Sequence, residues 1–191
     1  MIKAVIFDFF GVLYPDTFWQ LADIYVPTRD EAKREALHDL IKRVDLGHIN
    51  QAQFWAGAAA EFGTTVEQLN ADKSKLGKID NQLMEIVAKL KKMGIKTGII
   101  SNVGPGVIEK SLGNIHEYFD VIVISGEEFV VKPDKRIYDI AVGRLGVSAA
   151  ECIFFDDIES NVEGARGVGM SGVLYRGIDD CIAALKGAWI L

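Results

Sequence analysis

The chain has 191 residues, and its 27 Asp plus Glu against 21 Lys plus Arg give a formal net charge of -6. That balance excludes a general nucleic-acid binder, which needs a basic face to neutralise phosphates. The apolar fraction of 49% and charged fraction of 25% match a soluble globular protein, and two cysteines, Cys152 and Cys181, cannot build a disulfide framework or a multi-Cys zinc site. A reducing, cytoplasmic setting is the expectation.

Met1-Ile2-Lys3 runs straight into the apolar block Ala4-Val5-Ile6-Phe7, which ends at Asp8. No signal peptide, membrane span or membrane partner is expected, because every apolar run is only strand-sized. An unbroken apolar block is the pattern of a strand buried on both faces of a parallel sheet. From about Pro15 to Lys78 the pattern changes. Phe18-Leu21-Ala22, Ala36-Leu37-Leu40-Ile41-Val44 and Phe54-Ala58-Phe62 recur at helical period, and Gly47, Gly63 and Gly77 punctuate them. Residues 15–78 therefore read as a helical insertion, leaving 1–14 and 79–191 as the sheet-forming core. The charged stretch Arg29 to Glu35 reads as a solvated helix face.

Beyond the insertion, helices alternate with apolar blocks. Leu83, Ile86, Val87 and Leu90 form a helical stripe stopped by Gly94, and Gly98-Ile99-Ile100 follows as a strand. Val121-Ile122-Val123-Ile124 is a third strand. Ile137, Ile140, Ala141 and Leu145 form a helix closed by Gly146, before the strands Cys152-Ile153-Phe154-Phe155 and Gly172-Val173-Leu174-Tyr175. The alternation predicts an α/β fold, a Rossmann-like parallel sheet with helices on both faces.

Ligands of open parallel sheets bind at the carboxyl ends of the strands. Here those ends carry Asp8, then Ser101-Asn102, then Asp156-Asp157, with Lys132 a short loop beyond the third strand. Three carboxylates, a hydroxyl and a lysine would converge on one cleft. Each Asp alone is an ordinary turn or helix cap; their coincidence at one edge is the functional signal. Gathered carboxylates repel unless a divalent cation neutralises them, and Mg²⁺ prefers such oxygen ligands. A carboxylate nucleophile attacking phosphorus needs the same cation, while a hydroxyl and a lysine suit phosphate oxygens. The chemistry indicated is phosphoryl transfer.

The segments Phe7-Asp8-Phe9-Phe10-Gly11-Val12-Leu13, Ile100-Ser101-Asn102, Val131-Lys132-Pro133 and Phe155-Asp156-Asp157-Ile158-Glu159-Ser160-Asn161 resemble, in order and spacing, the four motifs of the haloacid dehalogenase-like hydrolases. The resemblance spans essentially the whole chain. It implies the Rossmann-like core with a small cap inserted after the first motif. It further implies Asp8 as nucleophile forming an aspartyl-phosphate, with Lys132, Ser101 and Asn102 at the phosphate. Mg²⁺ would lie between Asp8, the Phe10 backbone carbonyl and the Asp156-Asp157 pair, with Asn161 as outer support.

One position departs from the family pattern. Phosphatases of this family place a second aspartate two residues after the nucleophile, as general acid and base, and here that residue is Phe10. Positioned proton transfer contributes roughly a hundred- to ten-thousandfold in rate, so alkyl phosphates should suffer most. Three readings follow: a Mg²⁺-dependent phosphatase of altered or weakened activity, a metal-independent 2-haloacid dehalogenase, or a non-enzymatic protein that keeps the pocket. Dehalogenases share an aromatic residue at this position but lack the paired acids kept here. Asp16 is a candidate stand-in acid, although it also reads as the N-cap of the helix starting at Thr17-Phe18. His38, His48 and His116 lie at no ligand spacing, and Glu127-Glu128 reads as an exposed turn. Trp19, Phe54 and Trp55 read as core of the insertion.

Overall fold

The computed structural model describes residues 1–27 and 29–190. Five strands pair in parallel: β1 (Ala4–Phe7), β2 (Lys96–Ser101), β3 (Val121–Ile124), β4 (Cys152–Asp156) and β5 (Ser171–Leu174), in the order β3-β2-β1-β4-β5. β1 is central, so both its faces are buried. Val5 and Phe7 pack on one face against Leu83, Val87 and Leu90, and Ala4 and Ile6 on the other against Ile137, Tyr138 and Ala141. This explains the unbroken apolar run: in a strand covered on both faces, either direction of the pleat meets core.

The helices, in chain order, are α1 (Thr17–Tyr25), α2 (Glu31–Asp45), α3 (Gln51–Phe62), α4 (Val66–Leu76), α5 (Asn81–Lys92), α6 (Val107–Leu112), α7 (Ser125–Glu128), α8 (Lys135–Leu145), α9 (Glu159–Gly167) and α10 (Ile178–Gly187). α5 and α10 cover one face of the sheet, and α8 and α9 the other. Because all the strand pairings are parallel, the carboxyl ends of the strands come to a common edge. α8 stops at Gly146, in the left-handed region at φ +65°, as its sequence signal implies.

Among the described residues, five helices lie between β1 and β2, and the first four, α1 to α4, pack on one another. They form their own core of Leu21, Ala22, Leu37, Ala58, Phe62 and Leu69. Asp16, Asp30, Asn50 and Thr65 cap their N-termini, and Asn50 and Gln53 form a reciprocal capping box. Three of the four carry a clear apolar period. The fourth, α4, buries Leu69 alone, which leaves no stripe for periodicity to detect. Glu127-Glu128 is not an open turn but the end of α7, where Glu128 pairs with Arg144 at 2.7 Å. The turn is wound into a helix because Ser125 Oγ accepts the Val103 N–H at 2.9 Å, tying it to the loop after β2.

The C-terminal end of α2 approaches the sheet edge closely. A Cβ on Gly104, just beyond β2, would lie 2.7 Å from Val44 Cγ2, and one on Gly47 would lie 2.6 Å from the Gly126 carbonyl oxygen. Glycine at both positions lets this end of α2 settle over the loop that follows β2 and over α7. No helix among the described residues is long and apolar enough to cross a membrane.

Candidate active site

Asp8 follows the last residue of β1, and its backbone N–H still pairs with the Phe155 carbonyl of β4 at 2.8 Å. Its Oδ1 accepts the N–H of Phe9 at 2.7 Å, so the side chain folds back onto the turn that follows the strand. Lys132 Nζ lies 2.8 Å from Asp8 Oδ1 and 2.6 Å from Asp156 Oδ2, and all three residues are buried. Burial works against the ammonium charge, yet the two carboxylates outweigh it and hold Lys132 above the ordinary lysine value. Burial likewise pushes Asp8 up, opposed by Lys132 and reinforced by Asp156. Asp8 and Asp156 therefore share one cation in a site with little water, where charge interactions are strong.

Asp156 is fixed from several sides. Asn161 Nδ2 donates to both its oxygens, at 3.0 and 3.2 Å, and the Ile158 N–H donates to Oδ1 at 2.9 Å. Asn161 is in turn anchored by Tyr138, whose hydroxyl donates to the Asn161 carbonyl at 2.7 Å. Asp157 turns the other way, toward Gly11. A Cβ on Gly11 would overlap the Asp157 carboxylate, and Gly11 itself sits at φ +86°. Glycine is required there twice over, for the backbone and for the space.

Asp8, Asp156 and Asp157 each offer a carboxylate oxygen, and these atoms lie within 4.8 Å of one another. The Phe10 carbonyl accepts no backbone hydrogen bond among the described residues. An all-oxygen set of this kind fits a hard divalent cation. The ring of Phe10 has a different place. It packs edge-on against Phe9 at 4.9 Å and against Tyr14 at 6.1 Å, so it anchors the turn and carries no chemistry.

Ser101 closes β2 and is buried. Asn102, expected at the phosphate, uses its side-chain amide on the backbone of Lys132, accepting its N–H at 2.7 Å and donating to its carbonyl at 3.1 Å. Asp16 caps α1: its Oδ1 accepts the N–H groups of Phe18 and Trp19. His38 is exposed and packs on Trp19, with ring centroids 4.5 Å apart, while His48 and His116 are also exposed. Phe54 is buried in the core of the helical segment. Cys152 and Cys181 are buried free thiols.

One residue escaped the sequence reading. Asp45 is the last residue of α2 and is only partly exposed. It feels the charge of Lys132 and of Asp16, and Asp16 also acts on Asp157. A signal was present. An acid at the C-terminal end of a helix opposes the macrodipole, and Lys42 and Arg43 occupy the same turn as that rule prefers.

Similarity to known proteins follows the same lines. The chain is 39% identical over 87 residues to Phosphatase MT3486 of Mycobacterium tuberculosis, a match covering 44% of this chain and 40% of that protein. The chain thus spans well under half of that relative. It is 30% identical over 182 residues to the sesquiterpene phosphatase astK of Aspergillus oryzae, covering 90% of this chain and 88% of that one. Among solved structures, the HAD family enzyme bt-2542 of Bacteroides thetaiotaomicron, in complex with magnesium and inorganic phosphate, superposes with a TM-score of 0.74 at 21% identity, covering 92% of this chain and 95% of that one. The profile of the haloacid dehalogenase-like hydrolases matches residues 2–169, which takes in all four strand-end motifs. On that match, and on the parallel sheet that sets those motifs at one edge, the chain belongs to the haloacid dehalogenase-like hydrolase family.

Proposed function

We propose that this hydrolase is a phosphatase, cleaving a small phosphorylated metabolite through an aspartyl-phosphate on Asp8. The observation that carries the reading is the buried Lys132 ammonium held between Asp8 and Asp156, with Asp157 alongside. A carboxylate approaching a phosphate must be shielded from it, and a buried cation at the nucleophile provides that shielding. Asp8 attacks phosphorus, Lys132 and Ser101 bind the phosphate oxygens, and Asn161 holds Asp156 in place. The oxygen donors of Asp8, Asp156 and Asp157, with the Phe10 carbonyl, would hold Mg²⁺, which supplies further charge neutralisation when bound. Residues 15–78 act as the cap over the cleft, with 1–14 and 79–191 as the catalytic core. The relatives named as phosphatases and the Bacteroides enzyme crystallised with magnesium and phosphate support this reading. The two buried thiols suit a reducing, cytoplasmic compartment.

Phe10 withholds the acid–base group that would assist a poor leaving group, so activated acyl and aryl phosphates are the better substrates for a first assay. The test is hydrolysis of acetyl phosphate and p-nitrophenyl phosphate with Mg²⁺, repeated in EDTA and with Asp8→Asn. Turnover that needs the metal and disappears with Asp8→Asn is the expected result. Surviving activity in Asp8→Asn removes the nucleophile. Chloride release from a 2-haloacid in EDTA would turn the assignment to dehalogenation.

A further inference from the structure

The site as described lacks a proton donor for the leaving group, and the helical segment offers one. Val44, in the last turn of α2, lies against Gly104, and Gly47, just past that helix, lies against the Gly126 carbonyl, so Asp45, the last residue of α2, is held over the carboxyl edge of the sheet. Buried Val44 and Ile49 flank it in sequence. Lys132 and Asp16 are the charged groups that act on it from the facing elements, and no ion pair reaches it among the described residues. We propose that Asp45 is the general acid and base of this enzyme, taking from the α2 end the role that Phe10 cannot fill. The proposal rests on the phosphatase reading above.

The steps balance. Asp8 Oδ forms a bond to phosphorus as the bond from phosphorus to the ester oxygen breaks. The Asp45 carboxyl gives its proton to that oxygen, which leaves as an alcohol. The Asp45 carboxylate then takes a proton from water as the water oxygen bonds to phosphorus. The bond from phosphorus to Asp8 breaks, returning the Asp8 carboxylate, inorganic phosphate and a protonated Asp45.

Two observations favour Asp45 over Asp16. Burial pushes the Asp16 carboxyl up as well, but its Oδ1 caps α1, and the N–H groups of Phe18 and Trp19 oppose that push by favouring the charged form. Asp45 sits at the opposite kind of helix end, which disfavours its charge, and burial pushes it up to about 7 without any hydrogen bond contributing. A group near neutrality is suited to give a proton in one step and take it in the next.

The experiment compares wild type, Asp45→Asn, Asp45→Glu and Asp45→Ala on 2-glycerol phosphate, p-nitrophenyl phosphate and acetyl phosphate with Mg²⁺. For 2-glycerol phosphate, kcat should fall by roughly 10²- to 10⁴-fold in Asp45→Asn. The first turnover of p-nitrophenyl phosphate should change by less than about tenfold, because nitrophenolate leaves without a proton. A burst of nitrophenol should then appear, since the water step has lost its base. Asp45→Glu should recover part of the alkyl activity, and formate should recover part of it in Asp45→Ala. An unchanged ratio of alkyl to aryl first-turnover rates in Asp45→Asn, whether both stay or fall together, overturns the proposal and leaves the phosphatase reading standing. Wild-type silence on all three phosphates overturns both. Should Asp45→Asn fail to fold, formate rescue of Asp45→Ala decides the matter, and its absence in a folded Asp45→Ala overturns the proposal.

Discussion

The side-chain amide of Asn102 closes on the backbone of Lys132 at both ends, accepting the N–H at 2.7 Å and donating to the carbonyl at 3.1 Å. Lys132 lies on a loop, not on a strand or helix, and this clamp fixes the loop to the end of β2. Asn102→Ala leaves two backbone groups without partners, at a cost of about 2 kcal/mol. Lys132 is expected to lose its alignment with Asp8, so kcat on acetyl phosphate should fall by at least about tenfold. Thermal melts and steady-state kinetics check both parts. Wild-type kcat in a destabilised variant would show that the clamp serves the fold alone.

Lys132 is itself 4% exposed, and its two carboxylate partners form no other ion pair among the described residues. Removing one partner of a buried ion pair costs about 3–5 kcal/mol, because the charge left behind has nothing to balance it. Lys132→Met should therefore melt roughly 6–20 °C below wild type in metal-free buffer at pH 8. The unpaired acids would have raised folded-state pKa values. Their penalty is absent below the unfolded carboxylate pKa and grows as pH rises, so the gap to wild type should narrow on acidification. Addition of Mg²⁺ should narrow it as well. A gap that does not respond to pH or metal would mean that the cost lies in packing.

Gly11 makes room for Asp157 at a backbone angle of φ +86°. Gly11→Ala introduces left-handed strain of about 1–2 kcal/mol and a methyl group where the carboxylate lies. The expected result is Mg²⁺ binding weakened by on the order of 10- to 100-fold, measured by calorimetry or by the metal-dependent shift in melting temperature. Binding equal to wild type would remove Asp157 from the ligand set.

What the sequence made legible follows from how each feature is encoded. β1 and its neighbours were readable because a strand buried on both faces needs an unbroken apolar run. Asp8, Ser101 and Asp156 were readable because a parallel sheet delivers its strand ends to one edge. α4 was not, since a helix that buries Leu69 alone has no periodic stripe. The place of Asn102 was not, because its partner is a backbone 30 residues away. Asp45 was hidden for a related reason. Its unfavourable place at the helix C-terminus is the one local sign, whereas its approach to the sheet edge depends on the close contacts at Gly104 and Gly47.

Phe10 gives a gain-of-function test. Its ring packs with Phe9 and Tyr14, so Phe10→Asp should cost about 2–4 kcal/mol of stability. The new carboxyl would stand two residues after Asp8, where the family's phosphatases carry their second aspartate. In a folded variant, kcat on 2-glycerol phosphate should rise, and it should also rise in the Asp45→Asn background. A variant that folds, keeps its acetyl phosphate activity and gains nothing on the alkyl ester would show that position 10 cannot reach the leaving group.

Asp45 also links stability to pH. Burial, opposed by Lys132 and reinforced by Asp16, moves its carboxyl from 3.8 up to about 7. The unfolded chain ionises this group near the lower value, so between the two values the folded state holds the extra proton. The stability associated with it is complete below pH 3.8 and is lost as pH rises through 7. Asp45→Asn removes the charge and with it that loss. In metal-free buffer at pH 8 the variant should gain about 1 kcal/mol, a rise of roughly 2–4 °C in melting temperature. Near pH 4 the gain should shrink toward zero. Melting curves of both proteins at pH 4, 6 and 8 supply the comparison. A variant no more stable than wild type at pH 8 would mean that water already solvates the carboxylate, leaving it too acidic to donate a proton at neutral pH.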